Sequence, residues 1–421
     1  MQHIPYGTEV VFTLAICLIS SFILNRVSER LKLPSMIAPL LIGLLINFYI
    51  IGDIIYFIPN FTLIVQTFAN LALILIMFFI GLRVDFHYMG DLSKNSSIMA
   101  LNAGLIPFEL GFFASYIYTQ NIPTSLFVGL ALAITAEEVS ITILDELRML
   151  KKRVGQLIIE AGIIGDVFEI AAIAFLGFFI RAKTVGSITL LTFILEIFAF
   201  IFVVILMRFY VIEFLLDIPD RKSRKYEYFA VAFIILIIMA AISELLNFSA
   251  IIGALAAGML LKNKLIKDRM YYHEHIIIEA IEVFHFGIFE PIVFIFIGLS
   301  VDPAMLFENI GFGLILTFLA LFGKIAGALV GNYFCGEPLS EGILIGWGLN
   351  ARGATELFAL LIAQNLGIVS EDIFAAIVLM AILTTIISPI VFKMLVRNGY
   401  GLVKHVHSRN KHVYKSDRAK A

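Results

Sequence analysis

The chain has 421 residues, of which 61% are hydrophobic and 15% charged, with a formal net charge of −2. Soluble domains run near half apolar and about a quarter charged, so a soluble globular domain is excluded. The excess lies in repeated runs of about 20 apolar residues, the length that spans hydrocarbon as a helix, and not in the short alternating segments of a barrel.

Windowed hydropathy predicts an all-α polytopic membrane protein of about thirteen transmembrane helices. They fall near 8–25, 34–51, 61–82, 96–118, 122–146, 154–180, 186–210, 227–247, 249–262, 279–300, 308–334, 339–366 and 371–396. Residues 1–400 read as one transmembrane unit and 401–421 as a short basic tail. The first apolar stretch lacks a basic leader and a clear cleavage site, so it reads as a retained helix. No stretch resembles a nucleotide-binding domain, and no cofactor or nucleic-acid partner is expected. Cys17 and Cys335 are isolated, with neither a disulfide framework nor a metal-ligand spacing. Basic connections, among them Arg148 to Arg153 and Arg221 to Lys225, alternate with acidic ones. The positive-inside rule then puts the N-terminus outside and the C-terminus in the cytoplasm, in the plasma membrane.

Ionisable residues interrupt four spans. The fifth carries Thr135-Ala136-Glu137-Glu138-Val139-Ser140, either a break whose freed carbonyls coordinate a cation or a continuous helix whose acids face a vestibule. The sixth carries Asp166 in its middle, with Glu160 before it and Glu169 one turn after. A carboxylate at that depth costs roughly 3 kcal/mol and is read as a proton or ion site. Glu169 is either a second proton acceptor or part of the funnel lining. The eleventh span carries Lys324, which either neutralises a carboxylate or itself releases a proton. The twelfth carries Asn350-Ala351-Arg352-Gly353-Ala354-Thr355-Glu356, a second candidate break, with Arg352 and Glu356 spaced to pair along the helix.

Two pieces recur. Residues 36–45, with Gly43, resemble 251–260, with Gly258; residues 78–85, with Gly81-Leu82-Arg83-Val84-Asp85, resemble 295–302, with Gly298-Leu299-Ser300-Val301-Asp302, at nearly the same offset. On the span count the copies are inverted, the signature of secondary transporters that alternate access around a site at the midplane.

Taken together, Gly81-Leu82-Arg83-Val84-Asp85, Thr135 to Ser140, Gly165-Asp166, Pro291 to Phe294, Gly323-Lys324 and Asn350 to Glu356 resemble the monovalent cation:proton antiporter-2 family of sodium/proton exchangers and Kef-type transporters. The resemblance implies a homodimer of thirteen-helix protomers whose fifth and twelfth helices are unwound beside an essential aspartate, at the position of Asp166. It places Thr135 in the first break and Lys324 at the family's basic residue. Relatives usually carry an acid or amide where this chain has Gly165. One of Glu137, Glu138 and Glu160 is therefore expected to supply the charge partner of Lys324. The expected partners are a monovalent cation, protons, the lipid bilayer and a second copy, with room for a separate regulatory subunit. A Kef-like potassium efflux system is the runner-up. An intramembrane aspartyl protease is disfavoured, because neither Gly-x-Gly-Asp nor Tyr-Asp occurs.

Overall fold

Inside hydrocarbon every backbone N–H and C=O must find its partner within the segment, so apolar runs of this length fold as helices. The computed structural model describes residues 6–31, 35–48, 58–83, 94–135, 140–141, 143–144, 148–149, 152–162, 164–165, 190–218, 225–246, 249–267, 271–350, 352 and 354–399, and no strand occurs among them. The helices are α1 (Tyr6–Leu31), α2 (Ile37–Asn47), α3 (Phe61–Arg83), α4 (Lys94–Thr119), α5 (Ile122–Ala133), α6 (Leu190–Leu206), α7 (Ile212–Asp217), α8 (Lys225–Leu245), α9 (Ala250–Lys267), α10 (Tyr271–Phe284), α11 (Glu290–Leu299), α12 (Pro303–Glu308), α13 (Ile310–Phe334), α14 (Leu339–Gly348), α15 (Ala354–Asn365) and α16 (Glu371–Arg397). Among the described residues, eight helical stretches are long and apolar enough to cross a membrane. Their outward faces carry large apolar side chains such as Phe22, Phe113, Phe202, Phe214 and Phe318, as contact with lipid requires.

Several expected boundaries shift. The fifth span ends its helix at Ala133, and the twelfth is two helices, α14 and α15. The eighth and ninth are separate helices, α8 and α9, as expected. The seventh runs on through a π-turn (Met207–Val211) into α7, and the tenth starts earlier, at Tyr271, with a second π-turn (His285–Phe289) before α11. At that second turn Pro291 has no N–H to continue the regular ladder, and Glu290 N–H donates five residues back to His285 O. Local signals start the shorter helices. Asn121 accepts from Thr124 N–H at the start of α5, and Asp302 accepts from Ala304 N–H ahead of α12.

The repeat is visible as two helix crossings. A Cβ on Gly43 would lie 2.1 Å from Ile295 O and 2.9 Å from Gly298 Cα; one on Gly298 would lie 2.3 Å from Leu40 O. In the same way a Cβ on Gly258 would lie 2.2 Å from Phe78 O and 2.9 Å from Gly81 Cα, and one on Gly81 2.4 Å from Leu255 O. Only glycine permits backbones this close, the packing mode that holds membrane helices together where hydrophobic burial gives no drive. Gly43 and Gly258 are repeat equivalents, as are Gly81 and Gly298, so each crossing pairs unlike members of the two copies.

Directions follow from flanking contacts. Asn47 Nδ2 donates to Leu299 O (3.0 Å) and Val301 O (2.6 Å), so α2 and α11 run parallel. Phe79, at the end of α3, packs on His285, just before α11, with centroids 4.9 Å apart, so α3 is antiparallel to both. Phe229, near the start of α8, stacks on Phe284, and α9 runs back along α8, with Ser243 Oγ donating to Ser249 O at the turn. The helix α9 therefore ends on the same side as α3 and lies antiparallel to its counterpart α2. The two copies are inverted.

A second packing unit holds the interrupted spans. Helix α13 lies along α4 through Gly323, Gly327 and Gly331, which face Pro107, Asn102–Ala103 and Met99 in turn. Helical residues 153–162 join them in a separate apolar cluster with α14 and α16, built on Leu157, Ile158, Ala328, Ile345 and Phe392.

Candidate functional site

Helix α5 stops inside the protein, and its end is held by two cations from the other half of the chain. The last carbonyls of a helix have no intrahelical donor. Here Arg352 Nη1 donates to Ala131 O (2.7 Å) and Ile134 O (2.6 Å), and Nη2 donates to Leu132 O (2.8 Å). Lys324 Nζ donates to Ala133 O and to the Thr135 hydroxyl oxygen. Four consecutive carbonyls thus end on a guanidinium and an ammonium, at the negative pole of the helix dipole, where cations are favoured. Arg352, Lys324 and Thr135 are all buried. The first helix break therefore exists because two side chains compete successfully for the carbonyls that a continuing helix would use.

The second break is finished differently. At the end of α14, Gly348 O accepts from Ser140 Oγ, beyond the first break. Asn350 O accepts from Ser388 Oγ (3.2 Å) and Arg352 O from Thr385 Oγ1 (3.3 Å), both on α16. Asn350 Nδ2 donates to Leu321 O (2.9 Å), three residues before Lys324, and so ties this break to α13 beside the lysine. Neutral hydroxyls hold these carbonyls, and among the described residues no cation donates to them.

Arg352 lies outside α15, and it pairs with Glu356 as the spacing suggested, though loosely. Its Nη1 is 3.6 Å from Glu356 Oε2, and neither carboxylate oxygen of Glu356 accepts a hydrogen bond among the described residues. The arginine's donors go to α5 because its backbone, freed from the helix, lets the side chain reach across the crossing.

The structure brings together five of the residues singled out from sequence: Thr135, Lys324, Asn350, Arg352 and Glu356. Glu160 lies elsewhere. It accepts from Ser96 Oγ (2.7 Å), near the start of α4, where Cys335 Sγ approaches Asn95 O (3.7 Å) beyond the end of α13. That level is about 15 Å along α13 from Lys324. Glu137, Glu138, Asp166, Glu169 and Gly353 lie outside the described residues. Ser140, Thr385 and Ser388 were missed. The available signal was a pair of hydroxyls one turn apart next to Pro389 in an otherwise apolar helix.

A carbonyl oxygen and a hydroxyl oxygen that together hold an ammonium are also ligands for a bare monovalent cation, which carries the same charge and seeks the same hard oxygens. The site can therefore exchange a tethered cation for a free one.

Known proteins bear on this arrangement. A family model described as "Sodium/hydrogen exchanger, transmembrane" matches residues 12–398. The Na(+)/H(+) antiporter of Enterococcus hirae is 26% identical over 393 residues, which cover 93% of this chain and 99% of that protein. The Na(+)/H(+)-K(+) antiporter GerN of Bacillus cereus is 28% identical over 385 residues, covering 91% and 96%. Among solved structures, the sodium proton antiporter MjNhaP1 of Methanocaldococcus jannaschii superposes with a TM-score of 0.67 at 16% identity, covering 92% of this chain and 100% of that one.

Proposed function

Because the chain belongs to the sodium/hydrogen exchanger family, a family of transporters and not of enzymes, we propose that it exchanges a monovalent cation, sodium foremost, for protons by alternating access at a buried aspartate, Asp166. The observation that carries this reading is the seat of Lys324 on Ala133 O and Thr135 Oγ at a helix break inside the membrane. An arriving cation takes oxygens that the ammonium holds, and the carboxylate of Asp166 takes either the cation or a proton. Competition of this kind couples two opposed fluxes without any further machinery. Glu137 and Glu138, the residues that follow Thr135 and Ala136, are the proposed charge partners of Lys324, and Glu169 a proposed part of the proton route.

The working unit is a homodimer in the plasma membrane, with the N-terminus outside and the basic tail inside. Gly165 leaves no second carboxylate immediately before Asp166, so one-for-one exchange holds only where no further carboxylate joins the site. A second reading, potassium for protons, draws support from relatives whose names include potassium, such as GerN and the K(+)/H(+) antiporter 1 of Saccharomyces cerevisiae, 24% identical over 93% of this chain and 47% of that one.

Proteoliposomes loaded with a pH dye test both readings. Sodium, potassium and lithium are added in turn, with and without an imposed membrane potential. Cation-driven proton movement is expected in the wild type and lost in Asp166→Asn. Undiminished exchange in that variant removes the assignment of the site.

A further inference from the structure

We propose that Glu356 is a second proton-carrying carboxylate of the transport site and not a fixed structural counter-ion of Arg352. The inference rests on the antiport reading above and adds a residue to it.

The geometry of the pair carries the argument. A permanent arginine–carboxylate pair in a membrane interior is expected to be closed by short, often forked, charge-assisted hydrogen bonds of about 2.7–2.9 Å, because desolvating both charges is otherwise uncompensated. Here the approach is 3.6 Å, and both carboxylate oxygens are buried without a donor among the described residues. The arginine has turned three of its N–H bonds to the carbonyls of Ala131, Leu132 and Ile134 instead. Glu356 is fully buried, so ordinary surface water does not reach it. A buried carboxylate that accepts no hydrogen bond from a described residue and meets Arg352 only at 3.6 Å is positioned to bind a proton.

Its surroundings make that proton sensitive to the cation. Arg352 faces it from the break and Lys324 acts on it from α13. The helices packed against α15 present Phe294, stacked on Phe358, and the hydroxyls of Thr384 and Thr385; Glu290, at the start of α11, faces His285 instead. The field at Glu356 among described residues is therefore set by two cations, one of which sits on the oxygens that a transported ion would claim. A cation arriving at Ala133 O and Thr135 Oγ raises the positive charge of the cluster by one, because the displaced Lys324 ammonium stays tethered to α13. The carboxyl O–H then breaks, the carboxylate remains, and the proton passes to water on whichever side the site is open. Departure of the cation reverses the step.

The test is proton release on cation binding, measured with purified full-length protein in weakly buffered detergent as sodium is added. If two carboxylates each give up one proton, Glu356→Gln should release about twofold fewer protons per cation bound, and its binding should depend less steeply on pH. Glu356→Asp keeps the carboxyl and should restore the release. Infrared difference spectra, taken with and without sodium, guard against a variant that fails to fold. A protonated-carboxyl band lost on sodium addition in the wild type should shift in Glu356→Asp. Unchanged proton release and pH dependence in a folded Glu356→Gln, or a carboxyl band identical in wild type and Glu356→Asp, would overturn the proposal. Absence of sodium-driven proton movement in wild-type proteoliposomes would instead remove the antiport reading beneath it.

Discussion

Replacing Arg352 by methionine keeps most of the side-chain length and removes the charge. Three charge-assisted hydrogen bonds disappear from the end of α5, leaving the carbonyls of Ala131, Leu132 and Ile134 without their donors. Glu356 loses a cation 3.6 Å away while remaining fully buried, and keeps its proton. Each orphaned buried acceptor costs about 1 kcal/mol or more where the backbone cannot relax. The single variant should therefore lose about 3 kcal/mol or more. Because a protonated Glu356 strands no charge, Arg352→Met/Glu356→Gln should stay within about 0.5 kcal/mol of the single variant. Arg352→Lys should fall between wild type and Arg352→Met, because a point-charge ammonium cannot fork across three carbonyls. The assay is reversible unfolding in mixed micelles, followed by fluorescence of the chain's single tryptophan, Trp347, which sits at the end of α14 beside the second break. A cost below about 1 kcal/mol for Arg352→Met would refute the view that this arginine holds the broken helix.

Two further outcomes follow from the packing and the site. Gly258→Ala and Gly298→Ala each drive a methyl onto backbone closer than 2.5 Å, so each should lower stability by about 2 kcal/mol or more, while Gly165→Ala, with nothing within 4 Å of the added carbon, should stay within about 0.5 kcal/mol of wild type; equal stability of all three variants in the same unfolding assay would contradict the crossings. Thr135→Val deletes the hydroxyl shared by Lys324 and the proposed cation and should raise the KM for sodium roughly tenfold with a smaller change in kcat, whereas Thr135→Ser stays near wild type; an unaltered KM in proteoliposome flux would exclude Thr135 as a ligand.

The polar runs marked both breaks as candidates, because such groups are costly in hydrocarbon unless they satisfy backbone freed from the helix. The family resemblance, and not the pattern itself, chose the break over a continuous fifth helix and put Thr135 and Lys324 at one site. Neither revealed what ends the helices. Arg352 and Glu356 are four residues apart and do pair, but that spacing says nothing of where the arginine's other donors go. The reach of Arg352 to Ala131 is a contact across more than two hundred residues, set by the crossing of two spans, and no local pattern encodes it. Glu160 shows the converse failure. It was a candidate partner for Lys324, but its helix carries it to Ser96, near the start of α4 and away from the lysine. The π-turns were illegible for a different reason, since one extra residue in a turn leaves the hydropathy of a span unchanged. The count of about thirteen spans is not fixed by the eight long spans among the described residues.

The paired glycines bear on how such a chain arose. Each crossing takes one glycine from each half, Gly43 with Gly298 and Gly258 with Gly81, so neither half can tighten or loosen its crossing alone. In an ancestor made of two identical half-length chains in opposite orientation, these would be one self-complementary contact counted twice, as in any two-fold dimer. A single substitution there would have altered both crossings at once. In one chain the two contacts can change separately, as have the helix ends: an arginine and a lysine hold the end of α5, and hydroxyls hold the break after α14.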